Sequence, residues 1–346
     1  MKTLIENYRI FLGEHCGSTA MRGLLYHYYG IELPEAAVFG LGAGVDCVHL
    51  SAAGMDPAVV VFGRSLNMEA DLGRALGVDY REQPETDDAE AWELVRREVL
   101  AGRPTMLSGD IFYLDYRDYT VHFPGHRFVL VGFDDERETA FIADRIRTEP
   151  EACTYAALFR CRNPPEGIST HNLWGRFHGT EPTRSLSDAA AWAIDLCSRR
   201  MLGLEAAVPV LAAVSPDLHV ASGIAGIRSL AESLEGWAAR DDAKWLASYN
   251  ARCIEKFGNG GGNFRRLYAG FLRWAREIDP ALVPEETPDL AWRAADGWTA
   301  LSAMLRTASE GDAAEEIWTQ AADATGRIAS IETELFESLA SASNES

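Results

Sequence analysis

The pattern of apolar and polar residues changes near residue 185. Before that point, short apolar runs alternate with polar turns, which predicts buried strands rather than long helices. Residues 128–133 and 140–143 flank a charged turn and predict an antiparallel hairpin. Further strands are predicted at 59–62 and 104–107, and helices at 18–29, 69–76 and 88–100. This half of the chain is therefore expected to mix helices and strands.

After residue 185, strong helix formers dominate the sequence. Six helices are predicted, at 186–203, 223–237, 243–257, 264–278, 290–307 and 312–339. A stretch rich in Pro and Gly precedes them and marks a connection. We therefore predict an α+β protein with a mixed N-terminal domain at 1–165, a linker at 166–185 and an all-helical C-terminal domain at 186–340.

Charge excludes some classes of partner. The chain has 346 residues, of which 32 are Lys or Arg and 52 are Asp or Glu, so its net charge is −20. This acidity argues against nucleic acid and against an anionic membrane surface. It favours a cationic substrate such as an amine, or serves solubility alone. No apolar run is long enough for a signal peptide or a membrane span, so we expect a cytoplasmic protein. The oligomeric state is not fixed by the sequence.

One of the six cysteines lies in a context that indicates chemistry. Cys16 is surrounded by small and capping residues and precedes a helical pattern that ends at Gly30. At a helix N-terminus, the dipole and free backbone N–H groups would lower the pKa of its thiol and help to hold an oxyanion. The alternative is an ordinary buried cysteine. The absence of a C-x-x-C pair argues against structural zinc.

A histidine and an aspartate complete a possible triad. His126 leads into the first strand of the predicted hairpin, and Asp144 follows the second, so both are expected at the same open end. A carboxylate in that position would orient the imidazole. The order Cys16, His126, Asp144 is the papain-like arrangement, although a surface histidine and a turn-capping aspartate are each common alone.

Two resemblances follow from these motifs. The triad resembles that of the bacteriocin-processing cysteine peptidases, but His15 stands where they have aspartate, and no glutamine precedes Cys16 to serve as an oxyanion donor. The backbone N–H groups of Cys16 and Gly17 are the donors that remain. A longer resemblance, to the butirosin biosynthesis protein H family, rests on the segments 15–20 (HCGSTA), 39–44 (FGLGAG), 110–116 (DIFYLDY), 122–126 (HFPGH) and 254–268 (IEKFGNGGGNFRRLY).

That family resemblance implies a papain-like cysteine-protease-type N-terminal domain followed by the family's usual helical domain. It also implies an amide-forming acyltransferase of natural-product biosynthesis, with Cys16 as nucleophile. The donor would be a thioester on an acyl carrier protein or on CoA, and the acceptor an amine-bearing small molecule. No cofactor is expected beyond the phosphopantetheine that bears the acyl group. A cysteine hydrolase (peptidase or thioesterase) or an intramolecular cyclase would use the same triad.

The remaining candidate residues are assigned to substrate binding. Those near the triad are His15, Gly17, Asp110, Tyr113, Tyr116 and His122. Asp110 would hold an ammonium group and the tyrosines would line the acceptor pocket, or they form a turn and its packing. A metal at the His122 and His126 pair is not expected, because Pro124 interrupts any helix there.

Two further motifs have open roles. The glycines of residues 39–44 would allow a close approach to the acyl group or to the Cys16 helix, or form a tight turn. Arg265 and Arg266 would contact a phosphopantetheine phosphate or an acidic carrier protein, or lie solvated in a flexible loop.

Overall fold

The computed structural model describes residues 1–166, 168–205, 217–311 and 315–345. Its strands are β1 (Lys2–Leu4), β2 (Val45–Ser51), β3 (Val59–Arg64), β4 (Asp79–Gln83), β5 (Thr105–Gly109), β6 (His126–Asp134), β7 (Thr139–Ala143), β8 (Glu151–Thr154), β9 (Trp174–His178) and β10 (His219–Ala221). Its helices are α1 (Cys16–Tyr29), α2 (Glu35–Leu41), α3 (Met68–Leu76), α4 (Asp88–Leu100), α5 (Tyr155–Arg162), α6 (Leu186–Met201), α7 (Gly223–Glu235), α8 (Ala243–Glu255), α9 (Arg265–Ile278), α10 (Thr287–Glu310) and α11 (Glu315–Glu345). The α+β fold class is confirmed.

The chain forms two compact units. The first comprises residues 1–38 and 77–183, and the second comprises residues 39–76 and 184–346. The predicted boundary near residue 185 therefore matches one point of division. The prediction of one continuous N-terminal domain differs from the structure, because residues 39–76 pack within the second unit. Part of the predicted linker, residue 167, and the predicted start of the last helix, residues 312–314, lie outside the described residues.

The first unit is built on an antiparallel sheet. Its strands run in the order β4-β9-β5-β6-β7-β8, and β1 pairs with β6. The predicted hairpin is confirmed as β6 and β7, with Val129 opposite Ala143 and Asp134 opposite Thr139. Every residue of β6 is buried, which explains its nearly continuous apolar run. This central strand fixes the position of His126, its first residue.

Helix α4 shows how the first unit fills its core. Asp87 caps the helix by accepting a hydrogen bond from the backbone N–H of Glu90. Trp92, Val95 and Val99 are spaced three and four residues apart and are buried on one face. They pack in the same core cluster as Phe128, Leu130 and Phe133 of β6. This apolar face is therefore the packing surface of α4.

The second unit is mainly helical but also contains a sheet. Its strands run antiparallel in the order β10-β2-β3. The prediction of an all-helical C-terminal domain did not include β10, because this strand of three residues is too short to show an alternating pattern. It pairs with β2, whose sequence lies some 170 residues earlier. Helices α7 and α8 pack against β2 and β3, and α10 and α11 pack on each other.

The glycines of residues 39–44 serve packing inside the second unit. A Cβ atom at Gly40 would overlap the ring of Phe271, and one at Gly44 would lie 2.5 Å from the carbonyl oxygen of Phe39. Ala43 has a positive φ of 44°, so the turn is tight as well. These packing contacts and the tight turn account for the glycines without an acyl group. This motif is the first of the two whose roles the sequence left open.

Candidate active site

Helix α1 places Cys16 at its first residue. The preceding residue, His15, is extended and caps the helix, with Nδ1 accepting a hydrogen bond from the backbone N–H of Ser18 at 3.1 Å. This bond requires an unprotonated Nδ1 on His15. Gly30 ends the helix in the left-handed conformation, at φ 66°. Cys16 therefore lies at the positive end of the helix dipole, where a thiolate is favoured.

A carboxylate that sequence reasoning missed holds the segment before Cys16. Glu35 accepts hydrogen bonds from the backbone N–H groups of Glu14 at 2.9 Å and of His15 at 2.7 Å. It also accepts from the hydroxyls of Ser18 and Thr19, each at 3.0 Å. Four donors on one carboxylate fix the start of α1 more firmly than its helical propensity does. Little in the sequence indicated this contact, because Glu35 is some 20 residues away and looks like an ordinary acidic helix start.

The hairpin brings His126 and Asp144 together. His126 begins β6, and Asp144 directly follows β7, so antiparallel pairing places them at one end. The distance from His126 Nε2 to Asp144 Oδ2 is 3.2 Å, and both side chains are buried. The thiol of Cys16 also lies within hydrogen-bonding reach of the His126 imidazole. Since Nε2 faces the carboxylate, Nδ1 is the ring nitrogen left for the sulfur.

Asp144 has further partners that fix its orientation. Its Oδ1 accepts from the backbone N–H of Arg145 at 2.7 Å, and its Oδ2 accepts from the Tyr116 hydroxyl at 3.1 Å. Arg117 lies 3.9 Å from Oδ2 and forms a closer ion pair with Glu151 at 2.7 Å. Tyr116, which the sequence assigned to the acceptor pocket, thus supports the carboxylate that contacts His126.

Electrostatics favour a charged imidazole at this position. Burial alone lowers the pKa of His126, but the facing Asp144 carboxylate, with a smaller contribution from Cys16, raises it overall to about 10. Burial also opposes ionisation of Asp144, yet His126, the Arg145 N–H and Arg117 hold the pKa of that carboxyl well below its usual range. The pair is therefore an imidazolium and a carboxylate at neutral pH.

A small cavity adjoins Cys16. It has a volume of about 10 Å³, and its lining includes Cys16, Phe11, Asp144 and Arg145. Such a space is about large enough for one water molecule or one oxygen atom. Gly17 is the second residue of α1, and the first four backbone N–H groups of an α-helix have no acceptor within the helix. That N–H group is therefore available as a donor next to the sulfur.

A second polar cluster lies in the loop before β6. Asp110 is buried, and its Oδ2 lies 2.6 Å from Nδ1 of His122. Its Oδ1 accepts from the backbone N–H groups of Phe112 at 3.1 Å and Phe123 at 2.9 Å. The ring of Tyr113 packs edge-on against the ring of His122, with 5.9 Å between the ring centroids. The structure therefore brings Asp110 and His122 together as a cap of this loop. Both carboxylate oxygens of Asp110 already have hydrogen-bond partners.

The predicted pair of phosphate contacts at the start of α9 needs correction. Arg265 is fully buried in the second unit and forms a bidentate ion pair with Glu332, with both N–O distances 2.7 Å. It also donates to the carbonyl oxygens of Asp46 at 2.8 Å and Gly63 at 3.0 Å. A buried cation with these partners does not meet a phosphate or a carrier protein. Arg266 is partly exposed and bonds Glu255 at 3.2 Å.

Two features are absent from the described part of the chain. No group of three or more His, Cys, Asp or Glu among them is arranged to hold a metal ion. No helix in the described part of the chain is both long enough and apolar enough to cross a membrane.

Comparison with known families agrees with this organisation. The family model for butirosin biosynthesis protein H, N-terminal, matches residues 15–145, a range that begins one residue before Cys16 and ends one residue after Asp144. The model for a domain of unknown function (DUF4872) matches residues 160–339, more than half of the chain. No curated protein matches the sequence. The chain therefore belongs to the butirosin biosynthesis protein H family, with the DUF4872 domain after its N-terminal domain.

Proposed function

We propose that this protein is an amide-forming acyltransferase that carries the acyl group on Cys16. Membership of the butirosin biosynthesis protein H family implies a biosynthetic enzyme of the acyltransferase type. The observation that carries the finer proposal is the contact of one imidazole, His126, with both the Cys16 thiol and the Asp144 carboxylate. This is the arrangement that nucleophilic catalysis by cysteine requires.

The first half-reaction would transfer the acyl group to the enzyme. The thiolate of Cys16 attacks the carbonyl carbon of a thioester, and the new S–C bond forms as the carbonyl oxygen becomes an oxyanion. The backbone N–H of Gly17 would stabilise that oxyanion. When the intermediate collapses, the donor thiolate leaves and takes a proton from the His126 imidazolium. The donor would be a phosphopantetheine thioester on an acyl carrier protein or on CoA.

The second half-reaction would form the amide. An amine attacks the acyl-enzyme, and His126, now neutral, accepts the proton that the amine loses. The Cys16 thiolate leaves, and the imidazolium form of His126 is restored beside it. Asp144 keeps the ring oriented throughout and stabilises its positive charge. A net charge of −20 supports a cationic amine as acceptor, because such a field attracts cations.

The fate of the acyl group separates transfer from hydrolysis. The enzyme is incubated with a thioester donor, with and without an excess of amine, and the amide and the free acid are quantified by mass spectrometry. Transfer predicts that amide replaces acid when amine is present and that Cys16→Ser abolishes both products. Release of free acid at an unchanged rate would instead identify a hydrolase, and a cyclic product would identify a cyclase.

A further inference from the structure

Two guanidinium groups contact one aromatic ring beside the Cys16 cavity. The guanidinium carbons of Arg9 and Arg22 lie 4.5 Å and 4.2 Å from the ring centroid of Phe11. Phe11 itself lines the cavity that also contains Cys16. A pair of cations is thus held against an aromatic ring that lines the Cys16 cavity, in a chain whose net charge is −20. This concentration of positive charge calls for an explanation.

The two arginines differ in how they are neutralised. Arg9 forms an exposed ion pair with Glu32 at 2.8 Å. No carboxylate among the described residues lies within 4.0 Å of the guanidinium of Arg22, and its Nε atom is buried without an acceptor. Burial is accordingly the largest influence on the pKa of Arg22 and lowers it. Leaving a buried donor unmatched is costly, so the position of Arg22 is not explained by stability alone.

The nearby acidic groups do not satisfy Arg22. Glu32 and Glu35 act on it only through longer-range attraction. Glu32 is engaged by Arg9, and Glu35 accepts four hydrogen bonds at the start of α1. Among the described residues, the Nε of Arg22 has no acceptor and no hydrogen bond involves its outer nitrogens. Such a guanidinium is suited to a bidentate anion, which would match two of its donors at once.

We propose that Arg22, assisted by Arg9, binds the phosphate of the phosphopantetheine thioester that acylates Cys16. Arg22 lies six positions after Cys16 on α1, a rise of about 9 Å along the helix axis. The phosphate and the sulfur are at opposite ends of a pantetheine chain, which is longer than this axial rise. Phe11 contacts Arg22 and also lines the cavity that contains Cys16. This site, which rests on the proposed function, replaces the buried Arg265 as the phosphate contact.

The test compares two donors that differ only in the phosphate. Acylation of Cys16 is followed by intact mass spectrometry in a single turnover, with a phosphopantetheine thioester and with the pantetheine thioester of the same acyl group. In the wild-type protein the phosphorylated donor should half-saturate at a lower concentration. Arg22→Gln should raise that concentration about tenfold or more, the effect expected for loss of a bond between charged groups, and leave the other donor unchanged.

Matched variants make the result specific. Arg22→Lys keeps the charge but not the bidentate geometry, and should recover part of the preference for phosphate. Arg97→Gln removes an exposed arginine of α4 and should behave as wild type. An equal effect of Arg22→Gln on both donors would identify a structural role and overturn the proposal. Wild-type protein that does not distinguish the donors would also overturn it.

Two additional arms identify the source of the phosphate and separate the site from the function. If acyl-CoA half-saturates the enzyme at the same concentration as the phosphopantetheine donor, the protein recognises the phosphopantetheine arm alone. If acyl-CoA half-saturates at a lower concentration, the protein also contacts the nucleotide. If neither thioester acylates Cys16, the proposed function fails. Calorimetry with 4′-phosphopantetheine alone then decides the site: binding that is lost in Arg22→Gln supports it, and binding that is unaffected or absent rejects it.

Discussion

The imidazole Nε2 of His126 lies 3.2 Å from Oδ2 of Asp144, and each residue occupies the end of one strand of the same hairpin. Antiparallel register alone brings them together, because Val129 pairs with Ala143 and the two side chains follow at the open end. The same imidazole contacts Cys16 from the start of α1. The start of α1 and the two ends of the hairpin thus contact one another at the His126 imidazole.

Replacing Asp144 by Asn should change the charge of His126. The carboxylate raises the pKa of His126 to about 10, whereas burial acts in the opposite direction. Without the carboxylate, burial dominates and the pKa of His126 should fall below its ordinary value, so the ring becomes neutral near pH 7. Titration of the His126 ring protons by NMR measures this directly. An unchanged titration in the variant would contradict the assigned contact.

The same pair predicts how stability depends on pH. The pKa of His126 is raised from 6.5 to about 10 on folding, so its contribution to the free energy of unfolding is complete below about pH 6.5 and is lost as the pH rises through 10. Urea denaturation at several pH values should therefore show declining stability over this interval. Asp144→Asn should flatten that decline. A slope that is the same in both proteins would show that other groups cause it.

Glu35→Ala should disrupt the start of α1. It leaves two backbone N–H groups and two hydroxyls without their carboxylate acceptor, and should lower the free energy of unfolding by roughly 3 kcal/mol. Alkylation of Cys16 by iodoacetamide should slow as well. Glu32→Ala is the matched control, because it removes only an exposed ion pair worth at most about 1 kcal/mol. Wild-type stability and alkylation in Glu35→Ala would refute this role.

Tyr116→Phe separates a supporting role from a binding role. The variant removes one hydrogen bond to Asp144 and should reduce kcat, with the KM for the amine unchanged and a loss of about 1 kcal/mol in stability. The sequence placed Tyr116 in the acceptor pocket, where the KM would rise instead. Tyr113→Phe serves as the control, since among the described residues no hydrogen bond involves its hydroxyl.

Arg265 and Arg266 should respond differently to substitution. Arg265→Met breaks a buried ion pair with Glu332 and should cost about 3–5 kcal/mol of stability. Arg266→Met removes a partly exposed pair and should cost about 1 kcal/mol or less. Chemical denaturation of both variants measures the difference. Normal stability of Arg265→Met combined with a higher KM for the donor would restore the role that the sequence assigned to it.

The part of the site that the sequence predicted is the part encoded locally. Small residues around Cys16 and a glycine stop define α1, and two apolar runs around a charged turn define the hairpin that carries His126 and Asp144. Each signal lies within about 20 residues of chain. The α+β class followed from the same local patterns.

What the sequence did not predict depends on contacts between distant segments. Glu35 meets the start of α1 across a loop, and β2 pairs with β10, which lies some 170 residues later in the chain. Arg265 has the spacing of an exposed helix start, yet it is buried because Glu332, 67 residues later, neutralises it. Neither hydrophobic periodicity nor composition indicates which distant residues contact each other.

The most direct test of the account is the mass of the protein after exposure to a thioester donor. Wild-type protein should gain the mass of one acyl group, and peptide mapping should place it on Cys16. His126→Ala should acquire the adduct far more slowly, because it lacks the imidazole that contacts the thiol. Cys16→Ser should show no thioester adduct and no amide product. Full amide-forming activity in Cys16→Ser, or an adduct on another residue, would contradict the central claim.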